Sequence, residues 1–220
     1  MEKDKIAKLT LSLYEKMGAK GMKSLTNKER DEAMLKFIFK FLKKDDKILD
    51  LACGYGRITI PLAKIGFNIK GIDLVPSLIK EAKRRAKEEK VNVEFKIGDM
   101  RGLPYQDESF NKVLCLWSSF NHLLDEDSQI KALQEIHRVL KNKGACLIDM
   151  PDFENKWSKE QVKKFGRIVP YILNGLKVFD YVHDKNTLNM IIKFSGFTDY
   201  KIKIINLRKR RRIIIFLNKK

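Results

Sequence analysis

What this 220-residue chain lacks narrows its class before any motif is read. No apolar run approaches the roughly 20 residues needed to span a membrane. The opening MEKDKIAKL also has no continuous apolar core of the kind a signal peptide carries. The expectation is a soluble, cytoplasmic protein. Cysteine is scarce: Cys53, Cys115 and Cys146 are odd in number, far apart and set in apolar segments, which fits reduced thiols and not a disulfide framework. Histidine is equally scarce, and His122, His137 and His183 share no ligand-like spacing with one another or with the cysteines, so a metal site has no support. Acid is absent from the last twenty residues, which carry nine bases and so half of the formal net charge of +18. The rest of the surplus is diffuse, and a bias of 35 lysines to 11 arginines is as compatible with genome composition or a hot habitat as with function. Only the C-terminal cluster carries information about a partner.

At this length folding buries roughly 70% of the unfolded chain's surface, so the chain is read as one domain with a small cap. Its middle alternates β-rich runs with helical patterns, which argues for βαβ units and a parallel sheet with helices on both faces. Strands are expected at 47–52, 68–73, 92–97, 112–117 and 145–150. Between the second and third, Leu78, Ile79, Ala82 and Ala86 fall on one helical face, with Pro76 in the first turn. Between the fourth and fifth, Ile130, Leu133, Ile136 and Leu140 repeat the pattern, and Gly144 reads as the stop. Residues 1–44 read as a cap of two amphipathic helices separated by GAKGMKS, ahead of a core over 45–150. Residues 151–185 break the rhythm and read as an insertion that could lie over a cleft. A helix at 185–194 and two strands, 199–206 and 212–217, close the chain around a tight basic turn.

The stretch ILDLACGYGRI (48–58) ends an apolar strand on Asp50 and places Gly54 and Gly56 two residues apart. Where a parallel strand runs into a helix, glycines let a nucleotide approach the backbone, although the pair could also make only a tight turn. An NAD site wants a third glycine three residues on, where this chain has Thr59. Two carboxylates carry the reading further. Asp73 ends the second strand, 17 residues after Gly56, where it can accept hydrogen bonds from a ribose diol. Asp99 ends the third, in IGDM, where it can accept from an adenine amine.

With these residues the chain resembles the class I S-adenosylmethionine-dependent methyltransferases of the small single-domain type, over about 45–150 and again at 185–217. The resemblance implies a doubly wound α/β sheet of seven strands, in the order 3-2-1-4-5-7-6, with only the last antiparallel. It also implies S-adenosylmethionine as the cofactor, with S-adenosylhomocysteine left as product. Asp50, Ala52, Gly54 and Gly56 would surround the methionine part, Asp73 the ribose, and Asp99 and Met100 the adenine. Tyr55, Arg57, Leu74, Leu116 and Trp117 complete the implied cofactor-binding set. Ala52 departs from the glycine often found there.

Methyl transfer from a sulfonium is an in-line displacement, so the main task is to align donor and acceptor in a dry pocket. Trp117 could favour the positive sulfur by cation–π contact or serve as a strand-end core aromatic. His122 is the candidate general base toward an amine, hydroxyl or carboxyl substrate, against a structural or solvent-facing role. His137 is expected at the surface. Tyr14 either closes over the site or packs in the cap, and Arg57 either pairs with the cofactor carboxylate or faces solvent. The family members that methylate exocyclic base amines carry an Asn/Asp-Pro-Pro-aromatic element after the fourth strand, where this chain has Trp117, Ser118, Ser119 and Phe120. A small-molecule substrate is therefore expected, with RNA methylation or a non-catalytic cofactor-binding module as alternatives. The Arg208–Arg212 turn should lie on the active-site rim, either recruiting an anionic substrate or keeping an edge strand from pairing.

Overall fold

The computed structural model describes residues 2–208 and 210–220. In chain order these form α1 (Glu2–Ser24), α2 (Lys28–Phe39), β1 (Lys47–Leu51), α3 (Thr59–Lys64), β2 (Asn68–Asp73), α4 (Pro76–Glu88), β3 (Phe95–Ile97) and β4 (Phe110–Cys115). After a short 3₁₀ turn (Ser119–His122) come α5 (Glu126–Val139), β5 (Leu140–Pro151), α6 (Lys156–Phe165), β6 (Ile168–Leu173), β7 (Leu176–Tyr181), α7 (Lys185–Phe194), β8 (Asp199–Leu207) and β9 (Arg210–Asn218). The main sheet has seven strands in the order β3-β2-β1-β4-β5-β9-β8. Counted within that sheet, this is the expected 3-2-1-4-5-7-6. β9 alone runs against its neighbours, pairing antiparallel with both β5 and β8, while β1 to β5 pair in parallel.

The alternation of side chains along β1 builds the two halves of the core. Leu49 and Leu51 point to the side covered by α5 and α7, among Val113, Leu133, Ile136, Ile148 and Ile191. Ile48 points to the other side, among Met34 and Ile38 of α2, Leu62 of α3 and Ile214 of β9. Each such side chain, fully buried, stabilises the fold by about 1.5–3 kcal/mol. The central strands β1, β2 and β4 are buried toward their carboxyl ends, so they enter the cleft edge from the dry part of the sheet.

Several boundaries differ from expectation for identifiable reasons. The glycine stretch 18–24 interrupts the helix only at its first residue and is not the break before α2. It lies within α1, which kinks at Gly18 (φ 54°, ψ −168°) and ends at Ser24, and Asn27 then caps α2 by accepting from the Arg30 N–H. Gly144 is not the stop of α5: that helix ends at Val139 and passes directly into β5, where a Cβ at Gly144 would lie 2.7 Å from the Lys141 carbonyl. The third strand is only three residues long, and the fourth ends at Cys115, two residues earlier than expected. The insertion is structured, with α6 followed by the β6–β7 hairpin, whose turn sits on Asn174 and Gly175, both at positive φ. Among the described residues no helix is long and apolar enough to cross a membrane. The three cysteines are buried and unpaired.

Candidate active site

A cleft of about 250 Å³ opens at the carboxyl ends of β1, β2 and β4. Twelve of the thirteen residues expected at the site line it, from Asp50 and Ala52 through Asp73 and Asp99 to Trp117 and His122. The exception is Gly56. It has φ 78°, and a Cβ there would meet Ile60 at 2.8 Å, so it serves the packing of the loop on α3 and not ligand approach. Gly54, at φ 55° with open space where a Cβ would be, is the glycine that faces the cleft.

The loop is held by the acids around it. Asp73 is buried and accepts from the Gly54 N–H at 2.8 Å and the Val75 N–H at 2.9 Å. Burial raises its pKa, against those hydrogen bonds. A carboxylate has about four lone-pair sites, so Asp73 retains capacity for a diol. Asp50 is buried and accepts from the Thr59 hydroxyl at 2.6 Å. Thr59 thus occupies the third-glycine position with a structural task of its own. Burial pushes the Asp50 carboxyl up to about 7. Asp99 is more open and is forked by the Arg101 guanidinium, with a shortest contact of 2.6 Å. Burial works against its charge, but the Arg101 bonds outweigh that and lower its pKa.

Trp117 lies beyond its strand, and both it and Ser118 have left-handed backbone (φ 58° and 68°). The Arg57 guanidinium covers the indole at 4.2 Å from the ring centroid, so that face is taken and the expected cation–π contact with a sulfonium is not open there. Arg57 itself reaches Asp31 of α2 at 3.5 Å and is not the solvent-facing arginine that the sequence also allowed. Burial lowers its pKa despite Asp31.

His122 is set in a polar cluster. Its Nδ1 lies 3.1 Å from Asp180 Oδ1 and 3.5 Å from the Phe179 carbonyl, which fixes the proton on Nδ1 and leaves Nε2 to accept from the Tyr14 hydroxyl at 2.9 Å. Burial opposes charge on the ring, but Asp180 and the Phe179 carbonyl prevail and raise its pKa. Tyr171 donates to Asp180 at 3.3 Å. Tyr14 comes from α1, which also lends Ala7, Thr10, Leu11 and Met22 to the cleft wall. His137 is half-buried, edge-on to Phe197 at 5.0 Å, and not on the open surface as expected.

The sequence reading missed Thr10, Tyr171, Asp180 and the pair Asp149–Arg212. Among the described residues, Thr10 Oγ1 and Trp117 Nε1 are buried without a hydrogen-bond partner, on two residues that line the cleft. The basic turn joins β8 to β9, but none of its described residues lines the cleft: Arg212 is bound to Asp149, Arg211 to Asp152 at 3.0 Å and Arg208 to Glu29 at 3.8 Å. Lys209 lies outside the described residues. His183 is a core residue, bonded to Gln129 at 2.8 Å, and burial drops its pKa to about 3.

Residues 48–144 match the family profile described as a methyltransferase domain. A putative methyltransferase of Bacillus subtilis, YqeM, is 35% identical over 115 residues, 52% of this chain and 46% of that protein. The glycine/sarcosine N-methyltransferase of Parasynechococcus marenigrum is 28% identical over 182 residues, 81% of this chain and 64% of that one. The chain thus spans less than two thirds of the length of either relative. The crystal structure of the PH0226 protein from Pyrococcus horikoshii superposes with a TM-score of 0.73 at 26% identity, covering 87% of this chain and 90% of that one. Residues 48–144 thus form a methyltransferase domain, and the sheet order and glycine loop agree with the class I S-adenosylmethionine-dependent methyltransferase fold.

Proposed function

We propose that this chain binds S-adenosylmethionine in the cleft and transfers its methyl group to a nitrogen, oxygen or carboxylate of a small molecule. The observation that carries the reading is Asp73. Its carboxylate tethers Gly54 of the glycine loop and has lone pairs to spare at the cleft wall, where a ribose diol needs an acceptor. Asp50, Gly54 and Arg57 would hold the methionine part, Asp73 the ribose, and Asp99 and Met100 the adenine. The bound cofactor supplies an activated methyl group, while the protein aligns the acceptor, excludes water and takes up its proton.

The cleft reaches both Trp117 and His122, which favours transfer over a module that only stores the cofactor. Arg211 and Arg212 are committed to Asp152 and Asp149, which favours a small molecule over RNA. The similarity to a glycine/sarcosine N-methyltransferase supports the same choice. Calorimetric titration with S-adenosylmethionine and S-adenosylhomocysteine tests the reading, with NAD as control and Asp73→Ala alongside. Both sulfur ligands should bind the wild type and lose at least tenfold in affinity in the variant. Binding of neither, or equal binding by Asp73→Ala, sinks it.

A further inference from the structure

The polar cluster beside the cleft draws on four elements: Tyr14 from α1, His122 from the 3₁₀ turn, Tyr171 from β6 and Asp180 from β7. Its bonds form a chain. The Tyr14 hydroxyl donates to His122 Nε2, His122 Nδ1 faces Asp180 Oδ1, and Tyr171 donates to the same Asp180 oxygen. Tyr14 and His122 line the cleft, whereas Tyr171 and Asp180 stand behind them. Holding four side chains from four elements in this register costs conformational entropy, which the packing of Tyr14 on Tyr55, Val75 and Leu78 offsets in part. The arrangement is that of a base oriented by a carboxylate.

Resting on the methyltransferase reading, we propose that the methyl acceptor is a small primary or secondary amine, received as its ammonium ion against Tyr14 and His122, with Asp180 and Tyr171 as positioning residues. The charges that act on the cluster are the carboxylates of Asp180 and, across the cleft, Asp73 of β2. Such a field attracts an ammonium, repels a carboxylate and disfavours a phenolate. Tyr14 reports the last effect: it is a phenol in this very place, and burial followed by Asp180 and Asp73 raises its pKa.

The proton has a path. An N–H of the ammonium is given to the Tyr14 oxygen as the Tyr14 proton passes to His122 Nε2, leaving Tyr14 unchanged and His122 an imidazolium beside Asp180. The charge stays within the cluster, so the field that attracts the ammonium does not oppose its deprotonation. The freed nitrogen lone pair forms the new N–CH₃ bond, and the broken S–CH₃ bonding pair remains on sulfur as the neutral thioether.

The test is binding, read at His122. The protein is saturated with S-adenosylhomocysteine, as checked by calorimetry, and the His122 ring resonance is identified by its loss in His122→Gln. Benzylamine, benzoate and phenol are then titrated in turn at a pH above the measured His122 titration midpoint, where the ring is neutral and can accept. The amine should shift the resonance saturably while the other two leave it in place. Asp180→Asn should weaken amine binding at least tenfold and lower the His122 titration midpoint by about one unit, with affinity for S-adenosylhomocysteine within twofold. If that variant does not fold, Tyr171→Phe should weaken amine binding about threefold, the loss of roughly one hydrogen bond. A saturable shift with benzoate or phenol overturns the proposal, as does no shift with any probe or an unmoved midpoint in Asp180→Asn. Failure to bind S-adenosylhomocysteine removes the methyltransferase reading itself, and the amine proposal with it.

Discussion

Arg212 on the last strand forks onto Asp149 on the strand beside it, with Nε and Nη2 each 2.8 Å from a different carboxylate oxygen. Asp149 is fully buried and also accepts from the Trp117 N–H at 2.9 Å, while its own carbonyl accepts from the Ser118 N–H at 3.1 Å. Arg212 in turn donates to the Ser118 hydroxyl at 2.8 Å. One ion pair therefore anchors two consecutive left-handed residues, and the loop that carries Trp117 toward the cleft depends on the C-terminal strand.

The consequence for stability is asymmetric. Arg212→Met leaves Asp149 buried without its partner, which should cost about 3–5 kcal/mol, whereas replacing both partners by apolar residues of similar volume should recover most of that loss. A double-mutant cycle by urea denaturation measures both. Equal destabilisation by the single and the double variant would show that the pair is not the source of the effect.

Ala52 marks a second strained point. It has φ 54°, a left-handed conformation that a Cβ disfavours by about 1–2 kcal/mol. Ala52→Gly should therefore raise stability by about 1 kcal/mol, the relief exceeding the extra entropy that glycine brings to the unfolded chain. Affinity for S-adenosylhomocysteine should stay within about threefold, roughly half a kcal/mol. A lower denaturation midpoint in the glycine variant would place the strain elsewhere.

These two sites show which parts of the molecule were legible in the sequence. The glycine loop, Asp50 and Asp73 could be read because each belongs to a local strand-to-helix pattern, and Asp99 because it follows a short β-rich run. The same holds for β2 and α7, whose apolar spacing and turn residues gave their boundaries. Arg212 and Asp149 are 63 residues apart and meet only because β9 inserts between β5 and β8. Asp180 reaches His122 only through the β6–β7 hairpin. That hairpin did leave a signal, since Asn-Gly at 174–175 is a strong two-residue turn. Pro170 masked it, being tolerated because the two-stranded sheet is all edge.

Asp50 gives a pH dependence of definite sign. Its folded-state pKa is pushed up to about 7 from an ordinary 3.8, chiefly by burial. Between those values the folded protein holds a proton that the unfolded chain has released, so stability from this group is present at low pH and lost as pH rises toward 7. Asp50→Asn keeps an acceptor for the Thr59 hydroxyl and removes the titration. The stability of wild type relative to Asp50→Asn should therefore fall by about 1.4 kcal/mol per pH unit between roughly pH 5 and 7. Urea denaturation of the ligand-free proteins at three pH values measures it, and parallel curves would mean that Asp50 is ionised throughout.

Gly18 governs how α1 covers the cleft. Its φ of 54° with ψ of −168° is close to a region that only glycine occupies freely, and a Cβ there would meet no other atom. The effect of Gly18→Ala is therefore conformational and not steric, with a strain of about 1–3 kcal/mol. The helix can relieve that strain by straightening. Beyond the kink, Asn174 of the hairpin turn donates to the Gly21 carbonyl at 3.0 Å and the Ser24 hydroxyl at 2.9 Å, and Lys23 pairs with Glu81 of α4 at 2.9 Å. A straightened α1 cannot keep both these contacts and the cleft-side positions of Thr10, Leu11 and Tyr14. Gly18→Ala should thus weaken S-adenosylhomocysteine binding about tenfold, a loss near 1.4 kcal/mol, and expose the Tyr14 region to amide hydrogen exchange. Unchanged affinity together with unchanged exchange would show that α1 covers the cleft independently of the kink.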